Sequence, residues 1–320
     1  GIRDIGVTGV QTCALPISCG RRVGSKERRT GNLRMIASRV GKIATLTSDN
    51  VNSCAPLLHF AHATGFNAET YRRFLEQLSA SFRVVASDAR GHGRTTLPAI
   101  PERLTSWETY ELDLEELLGV YKEPAFLVGH SIGATVSVML AARRPDLVLG
   151  VGLLEPSFVP FERAYRVASE RREGRIVDFD IAIQARKRRS TWASLPEIRE
   201  SYAKKAMFAT WQDGFLEDYL EGGLVFLAND QIRLACNPSW EAATFQAATT
   251  DFWDILPRYK GKLLLAYGSR FSTVSDVDAK KIVELAPQTR VFNFPENSHF
   301  LPMERPEALS RLIMSEFDNS

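Results

Sequence analysis

The first chemical signal in this 320-residue chain is the run Gly129-His130-Ser131-Ile132-Gly133. It follows the apolar stretch Phe126-Leu127-Val128 and precedes the helix-compatible segment Ala134–Arg143. Gly-x-Ser-x-Gly between a strand and a helix is the spacing of a nucleophile elbow. The reason is steric. The turn forces the serine into strained backbone geometry, and small residues two places before and after it let strand and helix approach. The helix behind Ser131 also points its positive N-terminal end at the reacting centre. A serine hydroxyl is a weak nucleophile, however, and needs a base oriented by a third group. The five histidines are His59, His62, His92, His130 and His299. His299 is the candidate base because it follows the serine in chain order and sits in a loop between the last expected strand and the last helix.

These side chains need a scaffold that brings strand ends together, and the hydrophobic pattern supplies one. Expected strands are Lys42–Leu46, Ala55–Phe60, Phe82–Ala86, Ala125–Val128, Leu147–Leu154, Lys262–Tyr267 and Arg290–Phe294, with a turn at Asp49–Ser53. Helical spacing covers Thr70–Ser79, Trp107–Tyr121, Ala134–Arg143, Asp278–Leu285 and Pro306–Phe317. Strands alternating with helices of this length imply βαβ units and a mostly parallel sheet. From Glu155 to about Ala243 the pattern changes to charged, aromatic-rich and helix-like, with no clear buried strand. The expected architecture is therefore one α/β domain, residues 35–155 plus 245–320, interrupted by a helical insertion, 156–244.

Composition bounds the function classes. The chain is 44% hydrophobic and 24% charged, the fractions of an ordinary globular protein and unlike a collagen-like or disordered one. No run of 18 apolar residues exists, so no membrane span is expected. Forty Lys+Arg against 38 Asp+Glu gives +2, too balanced to indicate a nucleic-acid partner. The sum hides a break, because residues 1–34 carry seven basic and two acidic residues and the remainder is net negative. That leader also holds Cys13 and Cys19, which leaves Cys54 and Cys236 for the body. Two cysteines are too few for a disulfide framework and point to a reducing, cytoplasmic compartment. No metal-ligand spacing and no phosphate-cradling glycine loop occurs, so neither metal nor cofactor is expected.

Four ordered motifs then carry a resemblance. His62-Ala63-Thr64-Gly65-Phe66, Asp88-Ala89-Arg90-Gly91-His92-Gly93, Gly129–Gly133 and Asn297-Ser298-His299-Phe300-Leu301-Pro302 follow one another as in the α/β-hydrolase superfamily, which residues 35–320 resemble, specifically its cap-bearing, single-domain serine-hydrolase branch. The resemblance implies an oxyanion hole built from the backbone N–H groups of Phe66 and Ile132. The Asp88–Gly93 motif is expected to fix the neighbouring loop. One departure concerns the acid: Phe271, in Tyr267-Gly268-Ser269-Arg270-Phe271, stands where the family usually carries Asp. Some members place the acid one strand earlier, and here that position is Glu155. A carboxylate closing an apolar strand is costly unless partnered, and an imidazolium would be a partner. Asp276, or a dyad assisted by water, is the alternative. Separately, Val7–Ile17 resembles the in-frame translation of a sequencing adapter. That implies a metagenomic origin, a non-native or disordered leader over 1–34, and Met35 as initiator.

The insertion is expected to cap the site and set substrate range, with aromatics such as Trp192, Tyr202, Phe208 and Tyr219 divided between its own packing and an apolar pocket. Its basic run Arg186–Arg189 reads as a solvated helix face. The expected activity is hydrolysis of an ester or related acyl bond in a small apolar molecule through an acyl-enzyme, carboxylesterase-like, with catalytic Ser131, His299 and Glu155. An acyltransferase, a lactonase or a carbon–carbon bond hydrolase would show the same residues. From another class, a non-catalytic ligand receptor would have no need of the serine–histidine pair. A serine nucleophile argues against haloalkane dehalogenase and epoxide hydrolase activities, which use Asp there. Nothing in the sequence speaks to oligomeric state.

Overall fold

The computed structural model describes residues 32–38, 41–48, 54–228 and 230–317. Residues 1–31, which make up most of the expected leader, and the turn at 49–53 lie outside them. Eleven strands are present among the described residues: β1 Asn32–Ser38, β2 Gly41–Thr47, β3 Leu57–Ala61, β4 Arg83–Ser87, β5 Ala125–His130, β6 Val148–Leu154, β7 Thr191–Trp192, β8 Leu224–Phe226, β9 Ile232–Leu234, β10 Lys262–Arg270 and β11 Thr289–Ser298. The helices are α1 Arg72–Leu78, α2 Glu108–Tyr121, α3 Ile132–Arg143, α4 Phe161–Arg172, α5 Asp180–Arg186, α6 Leu195–Ala203, α7 Phe215–Gly223, α8 Pro238–Gln246, α9 Phe252–Ile255, α10 Asp276–Leu285, α11 Leu301–Glu304 and α12 Pro306–Phe317. None is long and apolar enough to cross a membrane.

Eight strands form one sheet in the order β1-β2-β4-β3-β5-β6-β10-β11, parallel except at the two pairings that β2 makes. This is the α/β-hydrolase arrangement, a mostly parallel sheet flanked by helices. Its central strands read as unbroken apolar runs because both faces are covered, as a parallel sheet requires. All six residues of β5 are buried. Alternate residues feed opposite layers. Leu127, Val151 and Leu265 pack under α2, α3 and α10, while Phe126, Val128 and Leu264 pack under α1 and α12. The second layer closes on a stack of Phe126 and Phe317 rings with centroids 4.5 Å apart.

Two expectations change. Asn32, Leu33 and Arg34 pair with Thr47, Leu46 and Thr45, so the boundary drawn before Met35 falls inside a strand. The insertion is not purely helical either: β7, β9 and β8 form a second, three-stranded antiparallel sheet within it. Strands of two or three residues are too short for alternation to register. α8 also runs across the expected boundary at 244/245.

Candidate active site

Ser131 occupies the turn between β5 and α3 with φ 57° and ψ −122°, a left-handed conformation that costs about 1–3 kcal/mol and persists only where its surroundings enforce it. The flanking glycines show how. A Cβ on Gly129 would lie 2.3 Å from the carbonyl carbon of Gly133, and one on Gly133 would lie 2.2 Å from the oxygen of Ala61 in β3. Strand and helix therefore touch backbone to backbone. The Ser131 N–H is held by the carbonyl of Leu154 at the end of β6, 3.0 Å away. As the first residue of α3, Ile132 has an N–H with no intrahelical acceptor.

His299 follows β11. Its Nδ1 lies 3.3 Å from Oε2 of Glu155 and 3.2 Å from Oγ1 of Thr273. Glu155 directly follows β6 with φ 48° and has no solvent exposure. A buried carboxylate must be compensated, and this one is. Oε1 accepts from the backbone N–H of Gly268 in β10, and Oε2 accepts from the Ser272 hydroxyl at 2.8 Å and the Thr273 N–H at 3.2 Å. An ionised carboxylate only accepts, so the compatible tautomer of His299 carries its proton on Nδ1 and leaves Nε2 basic. The loop where the family usually keeps its acid thus supplies hydroxyls that hold an acid from the neighbouring strand. Phe271 is 95% exposed. Asp276, the alternative acid, is exposed at the start of α10 and accepts from the Tyr267 hydroxyl at 2.9 Å.

The 62–66 loop departs from expectation. The N–H of Phe66 donates to the carbonyl of Ala63 at 3.1 Å and so closes the turn on itself. Ala63 and Gly65 also donate within the protein, to the Tyr71 hydroxyl and to Nε2 of His92. Thr64 is left with no acceptor for its N–H among the described residues, and it lines the same cavity as Ser131 and His299. Side-chain type carries no information about which amide a turn leaves free.

His130 sits in the motif beyond its spacing role. The Tyr71 hydroxyl, which accepts from the Ala63 N–H, donates to His130 Nδ1 at 2.7 Å, and His130 Nε2 donates to the carbonyl of His299 at 2.7 Å. A buried chain of hydrogen bonds therefore ties the 62–66 loop to the backbone that carries His299. Burial, reinforced by the His299 ring, holds the His130 imidazole well below its ordinary pKa. His62 is likewise lowered to about 4, and His59 and His92 to about 3, with burial as the main cause. The Asp88 motif does fix a loop: its carboxylate accepts from the N–H groups of Ala68 and Arg94, both at 2.8 Å.

The cavity over Ser131 measures about 370 Å³ and is closed on one side by the insertion. Phe66, Ile181, Met207, Phe208, Phe245 and Phe300 contribute apolar wall. Another part of the lining is polar: Arg188, Lys205, Glu241, Tyr202 and Tyr219. Arg188 corrects the reading of residues 186–189 as a solvated face. Nη1 pairs with both carboxylate oxygens of Glu241 at 2.9 Å, and Nη2 donates to the hydroxyls of Tyr202 and Tyr219. Arg188 lies just past the end of α5, where its N–H donates to the carbonyl of the buried Ala185 at 3.1 Å.

Residues 60–312 match the Alpha/beta hydrolase family. A 2-(acetamidomethylene)succinate hydrolase of Mesorhizobium japonicum is 27% identical over 281 residues, 82% of this chain and 88% of that protein. An epoxide hydrolase of Caballeronia sordidicola is 35% identical over 133 residues, 41% of this chain and 40% of that one. Among solved structures, an E-2-(acetamidomethylene)succinate hydrolase superimposes with a TM-score of 0.75 at 20% identity, covering 90% of this chain and 99% of that one. With the strand order and the elbow geometry already in place, the match over more than three quarters of its length makes this chain a member of the α/β hydrolase family.

Proposed function

We propose that this hydrolase cleaves an acyl bond of a small molecule through a covalent serine intermediate. Ser131 Oγ attacks the acyl carbon and His299 Nε2 takes its proton. The bond to the leaving group breaks, and the leaving group carries that proton away. Water, deprotonated by the same nitrogen, then releases the acid and regenerates the serine. Glu155 holds the imidazole in the required tautomer and stabilises the imidazolium. The N–H groups of Ile132 and Thr64 stabilise the oxyanion, together worth several kcal/mol of barrier; Phe66 shapes the pocket with its ring. The insertion acts as a cap.

The observation that carries this reading is the Glu155 carboxylate, wholly buried and 3.3 Å from His299 Nδ1. A structural carboxylate has no need to be desolvated against an imidazole that lines the same cavity as a strained serine. The relative named as a 2-(acetamidomethylene)succinate hydrolase supports hydrolysis of an acyl bond in a small polar molecule. The test is labelling by a fluorophosphonate probe, followed by a panel of acyl esters and amides. Ser131 should be the modified residue, and absence of labelling with an intact fold would defeat the reading.

A further inference from the structure

The polar part of the cavity is short of acceptors. Tyr202 and Tyr219 are 1% and 4% exposed, and each phenolic oxygen already accepts from Arg188 Nη2. Neither phenolic proton has an acceptor among the described residues. A buried hydroxyl proton left without a partner is costly. Donation from the guanidinium polarises both phenols and makes their protons better donors. Burial holds the Tyr219 phenol neutral, so its proton is present at working pH.

The charges along this lining do not cancel. Arg188 and Glu241 neutralise one another as a two-bond pair. Lys205, also in the lining, has its Nζ 4.0 Å from the centre of the Tyr202 ring and no carboxylate within ion-pairing distance among the described residues. Burial and the neighbouring Arg188 push its pKa down, with Glu241 opposing. Two buried phenolic donors without acceptors and the ammonium of the exposed Lys205 face a single cavity that also contains Ser131.

We infer that Tyr202, Tyr219 and Lys205 form a carboxylate-binding subsite, and that the substrate is an acyl compound bearing a carboxylate away from its scissile bond. A carboxylate offers about four lone-pair sites, enough to accept from both phenols and the ammonium at once. The role of Arg188 is to orient and polarise the phenols, since its own Nη donors are occupied by Glu241 and the two hydroxyls. The inference deepens the proposed acyl hydrolysis and rests on it for the identity of the reacting bond, but carboxylate binding itself does not depend on Ser131.

The experiment uses two probes of nearly equal shape, monomethyl succinate and dimethyl succinate. Calorimetric titration into the full-length Ser131→Ala protein reads binding without turnover. The monoanion should bind at least about tenfold more tightly than the diester, the usual worth of one charge-assisted hydrogen bond, and added salt should narrow the gap. Adding Lys205→Met or Tyr219→Phe to the Ser131→Ala protein should each collapse that ratio by about tenfold. In the enzyme with Ser131 intact, the ratio of kcat/KM for the two esters should follow the same order, with the change in KM. Equal binding of the two probes, or a ratio indifferent to both substitutions, overturns the subsite. Selective binding without hydrolysis of either ester keeps the subsite and sinks the acyl-hydrolase reading; hydrolysis without selectivity does the reverse.

Discussion

Acidification should unfold this enzyme well above the pH at which carboxylates titrate, because four histidines are buried in the neutral state. His59, His62, His92 and His130 are each at most 2% exposed. Three of them accept a hydrogen bond at the nitrogen that a proton would occupy: His62 Nε2 from the Ala89 N–H, His92 Nε2 from the Gly65 N–H, and His130 Nδ1 from the Tyr71 hydroxyl. Protonation there sets two donors head to head. With folded-state values of about 3 to 4 for His59, His62 and His92, these rings stay neutral at pH 5. The unfolded rings, near 6.5, are then almost fully charged. A depressed folded-state pKa gives stability that is complete above the unfolded value and is withdrawn as pH falls below it. From 6.5 to 5 is 1.5 units, so each of these three withdraws about 2 kcal/mol, about 6 kcal/mol together, and His130, also held down by burial, adds to the loss in the same sense. Total stabilities are about 5–15 kcal/mol. The carboxyls of Asp88, Asp113 and Asp218, raised by burial, act in the opposite sense and soften the loss at its acid end. The assay is the guanidinium midpoint, followed by tryptophan fluorescence in half-unit steps from pH 8 to 5. The slope should reach uptake of at least three protons, and His92→Gln should flatten it by one. A midpoint that does not move between pH 7.5 and 5 would refute the argument.

Replacing Ser131 by Ala should lower esterase turnover by at least about three orders of magnitude with the fold intact, since triad members act as a unit; residual turnover near the parent value in a clean preparation would remove the nucleophile assignment. Glu155→Gln should cost about 10⁴ in turnover by releasing the imidazole from its tautomer, while Asp276→Asn, an exposed residue that accepts from the Tyr267 hydroxyl, should be nearly neutral; the opposite ranking in steady-state kinetics would transfer the acid. Placing an acid at the family's usual position, Phe271→Asp, should not rescue Glu155→Gln, because residue 271 projects into solvent; recovery of turnover in the double variant would contradict the geometry. Gly133→Ala should destabilise by about 3 kcal/mol and impair the elbow, since its methyl would meet the Ala61 carbonyl, and an unchanged denaturation midpoint would show that the contact yields.

Much of this was legible in the sequence because each signal was local or ordered. Ser131 declares itself by two glycines between a strand and a helix, and His299 by following it in a loop after a strand. Glu155 was legible through an absence, Phe271 where an acid was due, combined with the cost of ending an apolar strand on a carboxylate. What stayed hidden depends on partners far away in the chain. Nothing near Thr64 announces that its N–H lacks an acceptor while that of Phe66 does not. Arg188 was obscured by three basic neighbours, and it lies past the end of α5, where helical spacing no longer says which way a side chain turns. β1 was hidden by a boundary set on charge balance, which is indifferent to backbone pairing.

The buried Glu155 also bears on how the chain is made. Its hydrogen-bond donors, Gly268, Ser272 and Thr273, emerge from the ribosome more than a hundred residues later. At about 5–20 residues per second that is a delay on the order of ten seconds. Until β10 arrives, β6 is the edge of whatever sheet has assembled, an apolar ribbon of the kind that pairs with other chains. Glu155 stands hydrated at the end of that ribbon throughout the interval. A polar group on an unpaired edge discourages such pairing, and the carboxylate that ends up beside the His299 imidazole stands at that edge until β10 covers it.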